Sequence, residues 1–566
     1  MRVLLAGIFL LGPVIAGLAG SFLPAFNWFP VLGRHDPGIG VFAELFAVPG
    51  FGRSLWLSLF TGFLATLISA IVAFIIPGIL YQHRGFSWLR RMMAPILSLP
   101  HITVAVGMMF LLQPSGWLVR LISPGLTGWD RPPNLAIVPD EHGLMLVLGL
   151  IAKEVPFLVL MMLAAMGQID IPRLLSVARS LGYTRMKAWF TIIIPQLWPR
   201  MRMAVMIVLV FSLSVVDMAA VPAPSTPPPL ALRTLEWYRD PDLQQRFIAS
   251  AAAVFQLVLA VLSIGLLILG EKAASRFCRG FLISGRRGHV PLMTARILRG
   301  VTLLAGIIPL VLAALGMAAA LIWSVAAVWR FPDATPQALT LRYWAGLSGG
   351  LGQIALNTAV LGAASALLSL IAVIVWLESQ PRHKSRHKPQ NSSRVEQFVE
   401  KMFFLPLLIP QIGFLFGLQV MLLWLGLDGH VMAVIWVHCL YVFPYIWLAL
   451  APSWRRWDPR WGMVGAALGQ GPVRRFLRIK LPMLLTPTLT SFAIGFSVSA
   501  ALYLPTVFAG NARLQTLTVE SVILASAAGR QPLGVATGLQ MLLPLIVFVV
   551  AASISRWRFN RLSGLS

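Results

Sequence analysis

Residues 176–201 read SVARSLGYTRMKAWFTIIIPQLWPRM, and residues 463–489 read MVGAALGQGPVRRFLRIKLPMLLTPTL. Both are basic segments that run into apolar sequence, and in both the same interval separates a glycine from a proline: Gly182 from Pro195, and Gly469 from Pro482. Each predicts a short helix, a glycine that lets the chain turn, a basic amphipathic helix, and a proline before the next apolar stretch. Such a helix pair can act as a lever between whatever touches its tip and the apolar helix it leads into.

The sequence on either side is strongly apolar. Of 566 residues 58% are hydrophobic and 11% charged, whereas a soluble domain carries about a quarter charged residues. Apolar windows of about twenty residues recur along the chain, each long enough to cross about 30 Å of hydrocarbon. About twelve spans are predicted, at 3–23, 55–80, 94–113, 143–167, 201–222, 247–270, 301–328, 353–377, 402–425, 431–451, 485–509 and 532–555. The expected fold class is therefore all-α and polytopic. The first window, with Arg2 and small residues near Ala19, shares a pattern with cleaved signal peptides, but its apolar run is long for one and reads as a retained first helix.

Lysine and arginine set the orientation. With the N-terminus inside, thirty-three fall in inside segments and eleven outside, leaving Lys153 within a span. This bias predicts both termini in the cytoplasm. The formal net charge of +26 sits in short loops rather than on one face, so nucleic acid is not an expected partner; the lipid bilayer is. Cys278 and Cys439 lie far apart and support neither a disulfide framework nor a thiolate metal site. His383 and His387 have helical spacing for a metal, but they lie in the polar segment 378–401 among basic residues and beside a proline.

Matches recur at a nearly constant offset. Gly62 and Ser69 fall on Gly362 and Ser369; Pro100, Ile102 and Gly107 on Pro410, Ile412 and Gly417; Gly182, Ile192 and Pro195 on Gly469, Ile479 and Pro482. The expected organisation is two homologous units of about six spans, 1–285 and 286–566, with cytoplasmic loops at 168–200 and 452–484.

In these loops the chain resembles the permeases of type I ABC importers, whose signature is EAA, three residues, Gly, nine residues, Ile, one residue, Leu, Pro. Val177, Ala178, Gly182, Ile192, Ile194 and Pro195 fall in register, as do Val464, Gly465, Gly469, Ile479, Leu481 and Pro482; Ser176 and Met463 replace the glutamate. The resemblance implies that Ser176, Ala178, Gly182 and Pro195, with Met463, Gly465, Gly469 and Pro482, couple the membrane helices to cytoplasmic ATP-binding subunits, a homodimer whose closure moves them. It also implies a periplasmic solute-binding protein, a bacterial inner-membrane location and no cofactor bound by this chain. The chain carries no GxxxxGK[ST] sequence, so ATP hydrolysis is expected on a separate subunit and this chain is not expected to be an enzyme. The fused layout, with SLSVVDMAAV followed by PAPSTPPPL, looks most like iron(III)- and thiamine-type permeases.

Lys153 and Glu154 lie in the fourth window beside Pro156, and Asp217 lies in the fifth. A charge at membrane depth costs several kcal/mol unless paired or wet, so these residues are candidates for a translocation path used by a cation. Equally, Lys153 and Glu154 can neutralise each other, and Asp217 can sit near outside water. Counterparts in the second unit, at offsets of 288 and 285, are Tyr441, Val442 and Leu502. His101 and Gln411 match after Pro100 and Pro410 and read as helix-packing partners before they read as a polar lining. The outside loops 114–142 and 223–246 are long enough to meet a binding protein. An ion-coupled secondary transporter of two six-span halves is the alternative; it requires intramembrane acids but no paired basic loops. No clustered carboxylates or histidines at catalytic spacing lie in a span, which argues against a membrane enzyme.

Overall fold

The computed structural model describes residues 7–80, 99–135, 137–224, 226–283, 292–346, 350–380, 394–527 and 529–563. The expected unit boundary at 285/286 and the pair His383 and His387 lie outside them. The helices that carry the argument are, in order, α1 (Gly12–Ala25), α2 (Phe51–Leu80), α3 (His101–Leu112), α4 (Leu144–Met166), α5 (Ile171–Ser180), α6 (Arg185–Ala188), α7 (Ile194–Ser214), α8 (Leu230–Arg239), α9 (Gln245–Ile283) and α10 (Leu292–Val325). A two-stranded ribbon, β1 (Ala326–Val328) with β2 (Ala338–Leu339), follows. Then come α11 (Gly350–Ser379), α12 (Ile412–Trp424), α13 (Val431–Arg456), α14 (Arg460–Ala467), α15 (Pro472–Arg475), α16 (Leu485–Ala501), α17 (Leu504–Gly510), α18 (Leu517–Ser526) and α19 (Arg530–Ser563).

The protein is an almost wholly helical, multi-pass membrane protein. Among the described residues nine helices are long and apolar enough to cross a bilayer, and a tenth forms if Pro472–Met483 and Leu485–Ala501, bent by 77°, count as one span. The expected twelve are not confirmed among the described residues: Phe9–Ala25 and Ile412–Trp424 are apolar but short. The windows 201–222 and 485–509 also stop early. α7 ends at Val215 and α16 at Leu502, where the backbone turns extended, with ψ of 133° and 116°. Apolar composition continues past both breaks, so hydropathy could not place them; such breaks survive at membrane depth only where protein surrounds them, and both Val215 and Leu502 are buried.

Two bundles share one plan. α2, α4 and α7 pack on one another, as do α11, α13 and α16. The returning helices α8 and α18 are each fixed by the same kind of bond: the Leu230 N–H donates to Ser58 Oγ at 2.8 Å, and the Leu517 N–H to Thr358 Oγ1 at 2.9 Å. The first helix of the chain, however, packs across. α1 lies along α12, and α10 lies along α3. Glycines set both crossings: a Cβ on Gly20 would stand 2.6 Å from Gly417 Cα, and one on Gly107 2.8 Å from the Gly316 carbonyl carbon. In lipid, where apolar side chains gain nothing by leaving the solvent, backbone approach over small residues is what joins helices.

Candidate functional site

The two loops fold alike. α5 is capped by Asp170, whose carboxylate accepts the Arg173 N–H at 3.2 Å. It ends with Gly182 at φ +81°, where the Tyr183 N–H reaches back to the Ala178 carbonyl and the Gly182 N–H to that of Arg179, both at 3.0 Å. α14 ends identically, with Gly469 at φ +74°, Gln470 N–H on the Gly465 carbonyl and Gly469 N–H on that of Ala466, again at 3.0 Å. This paired closure with a left-handed glycine is a Schellman cap, and it sets the angle between the arms of each elbow.

The next arm is built in the same register twice. α6 passes into a π turn at Trp189–Ile193 and then α7; α15 passes into a π turn at Phe476–Lys480 and then Leu481–Met483. Pro195 and Pro482 each sit in the first turn of the helix that follows. A proline has no N–H to close the α ladder behind it, and the turn before each is the widened one.

The small residue at the third position of the signature faces inward. Ala178 is 1% exposed, and Gly465 is buried where a Cβ would stand 2.5 Å from Ile479 Cδ1. The neighbouring apolar residues point away: Val177 and Leu181 on the first elbow, Met463, Val464 and Leu468 on the second, are all more than half exposed. Ser176 turns its hydroxyl back to the Arg173 carbonyl at 2.8 Å. Each elbow thus presents a short apolar ridge among basic residues, the composition of a contact face rather than of a solvated loop.

The elbows are tied to the membrane helices by different means. Trp189 is fully buried, its indole N–H donating to the Phe74 carbonyl at 2.9 Å and its ring filling the space over Gly78. At the second elbow the buried Lys480 pairs with the partly exposed Glu378 of α11 and lies 4.5 Å and 5.0 Å from the ring centroids of Trp454 and Trp457. Neither latch was foreseen from the sequence.

The buried charges Lys153, Glu154 and Asp217 are brought together, in one bundle only. Pro100, with an extended ψ of 150°, is the N-cap of α3 and leaves the Leu99 carbonyl outside the helix ladder; Lys153 Nζ donates to it at 2.5 Å. Glu154 Oε1 lies 3.6 Å from His101 Nε2, and the His101 ring packs on Phe211 at 4.6 Å. Asp217 sits in the turn after α7, not in a span, within electrostatic reach of His101 and Lys153. Its counterpart also shifts: α7 and α16 end at matched places, Ser214 and Ala501, so Asp217 aligns with Leu504 of α17 rather than with Leu502. His101 is thus part of a charged cluster, beyond the helix-packing role expected of it; Gln411 takes the matched place before α12.

A multi-pass helical membrane protein with two matched basic elbows is the class that fold and site define. The chain is similar to the inner membrane ABC transporter permease protein YnjC of Escherichia coli (strain K12), with 27% identity over 556 residues covering 97% of this chain and 96% of that one. No protein-family profile matches the chain.

Proposed function

We propose that this chain is the membrane-spanning permease of an ATP-driven ABC importer in the bacterial inner membrane, formed of two fused halves with both termini in the cytoplasm. The single observation that carries the reading is the pair of identically capped elbows, each with an apolar ridge turned outward, because a lever needs a partner at its tip. ATP-binding subunits, a homodimer, seat on Val177 and Leu181 at one elbow and on Met463, Val464 and Leu468 at the other. Their closure over ATP pushes through Pro195 and Pro482 into α7 and α16. A periplasmic binding protein delivers the solute on the opposite face. The similarity to YnjC along nearly the whole chain supports the class.

The path within the membrane runs past Glu154, Asp217 and Lys153, whose Nζ is occupied by the Leu99 carbonyl. The two carboxylates suit a cationic group, in keeping with an iron(III)- or thiamine-type cargo. Reconstitution in proteoliposomes with an ABC ATP-binding subunit from the same organism tests the reading. Wild-type chain stimulates ATP hydrolysis and retains that subunit on a column; the double variant Leu181→Asp, Leu468→Asp does neither. Equal retention by both would remove the elbows from the coupling role.

The cluster of the half-buried His101 with the buried Glu154 and Asp217 favours a second reading, an ion-coupled secondary transporter. Uptake that collapses with an uncoupler but survives ATP depletion would select it.

A further inference from the structure

At the end of the molecule away from the elbows, a cavity of about 660 Å³ opens between α8 of the first bundle and α12, α17 and α18 of the second. Its volume lies within the roughly 300–1,000 Å³ of small-molecule sites. One wall is a stack: the Tyr238 and Phe416 rings lie 4.4 Å apart and nearly parallel, and Phe508 meets Tyr238 edge-on at 5.9 Å. The charged lining is Arg239, Asp240 and Arg246. Asp240 Oδ1 accepts the Asp242 N–H at 2.9 Å. Arg246 is the unsatisfied group: its Nε is shielded from solvent yet has no hydrogen-bond partner among the described residues, and a buried guanidinium donor left unbonded is costly. Arg239 holds its guanidinium 6.0 Å from the Tyr503 ring centroid and interacts with the Tyr503 hydroxyl.

We propose that this cavity binds an amphipathic organic anion, its apolar or aromatic body against Tyr238 and Phe416 and its oxyanion bonded by Arg246 and Arg239. A guanidinium fork matches phosphate and carboxylate oxygens bidentately, and the ring stack supplies the apolar area a small ligand needs. The inference deepens the transport reading, since it names the chemistry of a solute at the outer end of the path; with Asp217 and Glu154 beyond it, the charges fit a solute carrying both signs. An anionic lipid headgroup shares the same oxyanion chemistry.

The test uses the full chain in phosphatidylcholine nanodiscs, without nucleotide or other subunits, and equilibrium dialysis of 1-naphthyl phosphate against 1-naphthol, with empty nanodiscs as blank. Wild type binds the phosphate saturably and about tenfold more tightly than the alcohol. Arg246→Gln loses that preference while remaining monodisperse, Arg246→Lys keeps part of it, and Phe416→Ala weakens both probes. Repeating the titration in phosphatidylglycerol nanodiscs separates the sources: competition identifies lipid as an occupant, and an unchanged affinity identifies a free solute. Absence of saturable binding, or wild-type preference in Arg246→Gln, overturns the proposal. Either result leaves retention of the ATP-binding subunit, and so the permease reading, to stand or fall on its own.

Discussion

Lys480 and Glu378 stand 102 positions apart in the sequence and form one partly buried ion pair at the root of the second elbow. The Glu378 carboxylate also accepts the Trp454 indole N–H at 2.9 Å, so the end of α11, the end of α13 and the π turn meet at a single oxygen. Glu378 therefore supplies an acid beside the elbow, whereas the signature acid of the resembling family would lie at its tip, where Met463 stands.

Removing one partner of this pair should destabilise the protein more than replacing both. A charge stranded in a buried site costs about 3–5 kcal/mol, whereas an apolar replacement of the whole pair is often neutral; loss of Glu378 strands the buried Lys480, whereas loss of Lys480 strands Glu378, which keeps 31% of its side chain exposed, so the lysine variant should fall below that range. The monodisperse fraction after heating in detergent should rank Glu378→Gln lowest and Lys480→Met above it, with the double variant Lys480→Met, Glu378→Gln recovering toward wild type. Additive losses in the double variant would mean that the two residues act separately.

At the first elbow, Trp189→Phe removes one hydrogen bond while keeping most of the packing, and should cost about 1 kcal/mol. Trp189→Ala opens a cavity over Gly78 and should cost about 3–5 kcal/mol. The same heating assay separates them; similar losses would deny the ring its packing role.

Gly465→Val should unseat the second elbow, because a Cβ there meets Ile479 at 2.5 Å. Gly469→Ala should only strain the cap, by about 1 kcal/mol for a left-handed non-glycine residue. Retention of the ATP-binding subunit reports the difference: lost in the first variant, kept in the second. The reverse order would place the critical contact at the turn instead of between the arms.

Asp217→Asn should lower uptake while leaving retention of the ATP-binding subunit and its hydrolysis rate near wild type. His101→Leu, which takes away the group 3.6 Å from Glu154, should lower uptake as well. Unchanged uptake in both variants would take the cluster out of the path.

The elbows were legible because their determinants are local: a cap, a left-handed glycine and a proline lie within one short stretch, and the fixed interval from Gly182 to Pro195 recurs from Gly469 to Pro482. The span breaks were not, since Val215 and Leu502 sit in sequence as apolar as the helices before them. Arg120 shows the same limit from the other side. Counted by sequence among outside loop cations, it is 3% exposed and donates to the Ser115, Trp329 and Arg330 carbonyls, pinning the ribbon of β1 and β2 to the helix Trp117–Ile122. Charge alone marked Lys153, Glu154 and Asp217 as unusual; that His101 joins them depends on how α3 and α4 cross, which no periodicity encodes.

The crossing of α1 onto α12 governs how the protein can be made. The Gly417 N–H bonds to Ser21 Oγ at 3.3 Å across 396 positions, so a ribosome must pass the whole first bundle and reach α12 of the second before the first helix meets its mate. Until then the glycine ridge of α1 waits in the bilayer unmatched, and a chain released early, or cut between its bundles, would leave each fragment holding a helix that belongs to the other.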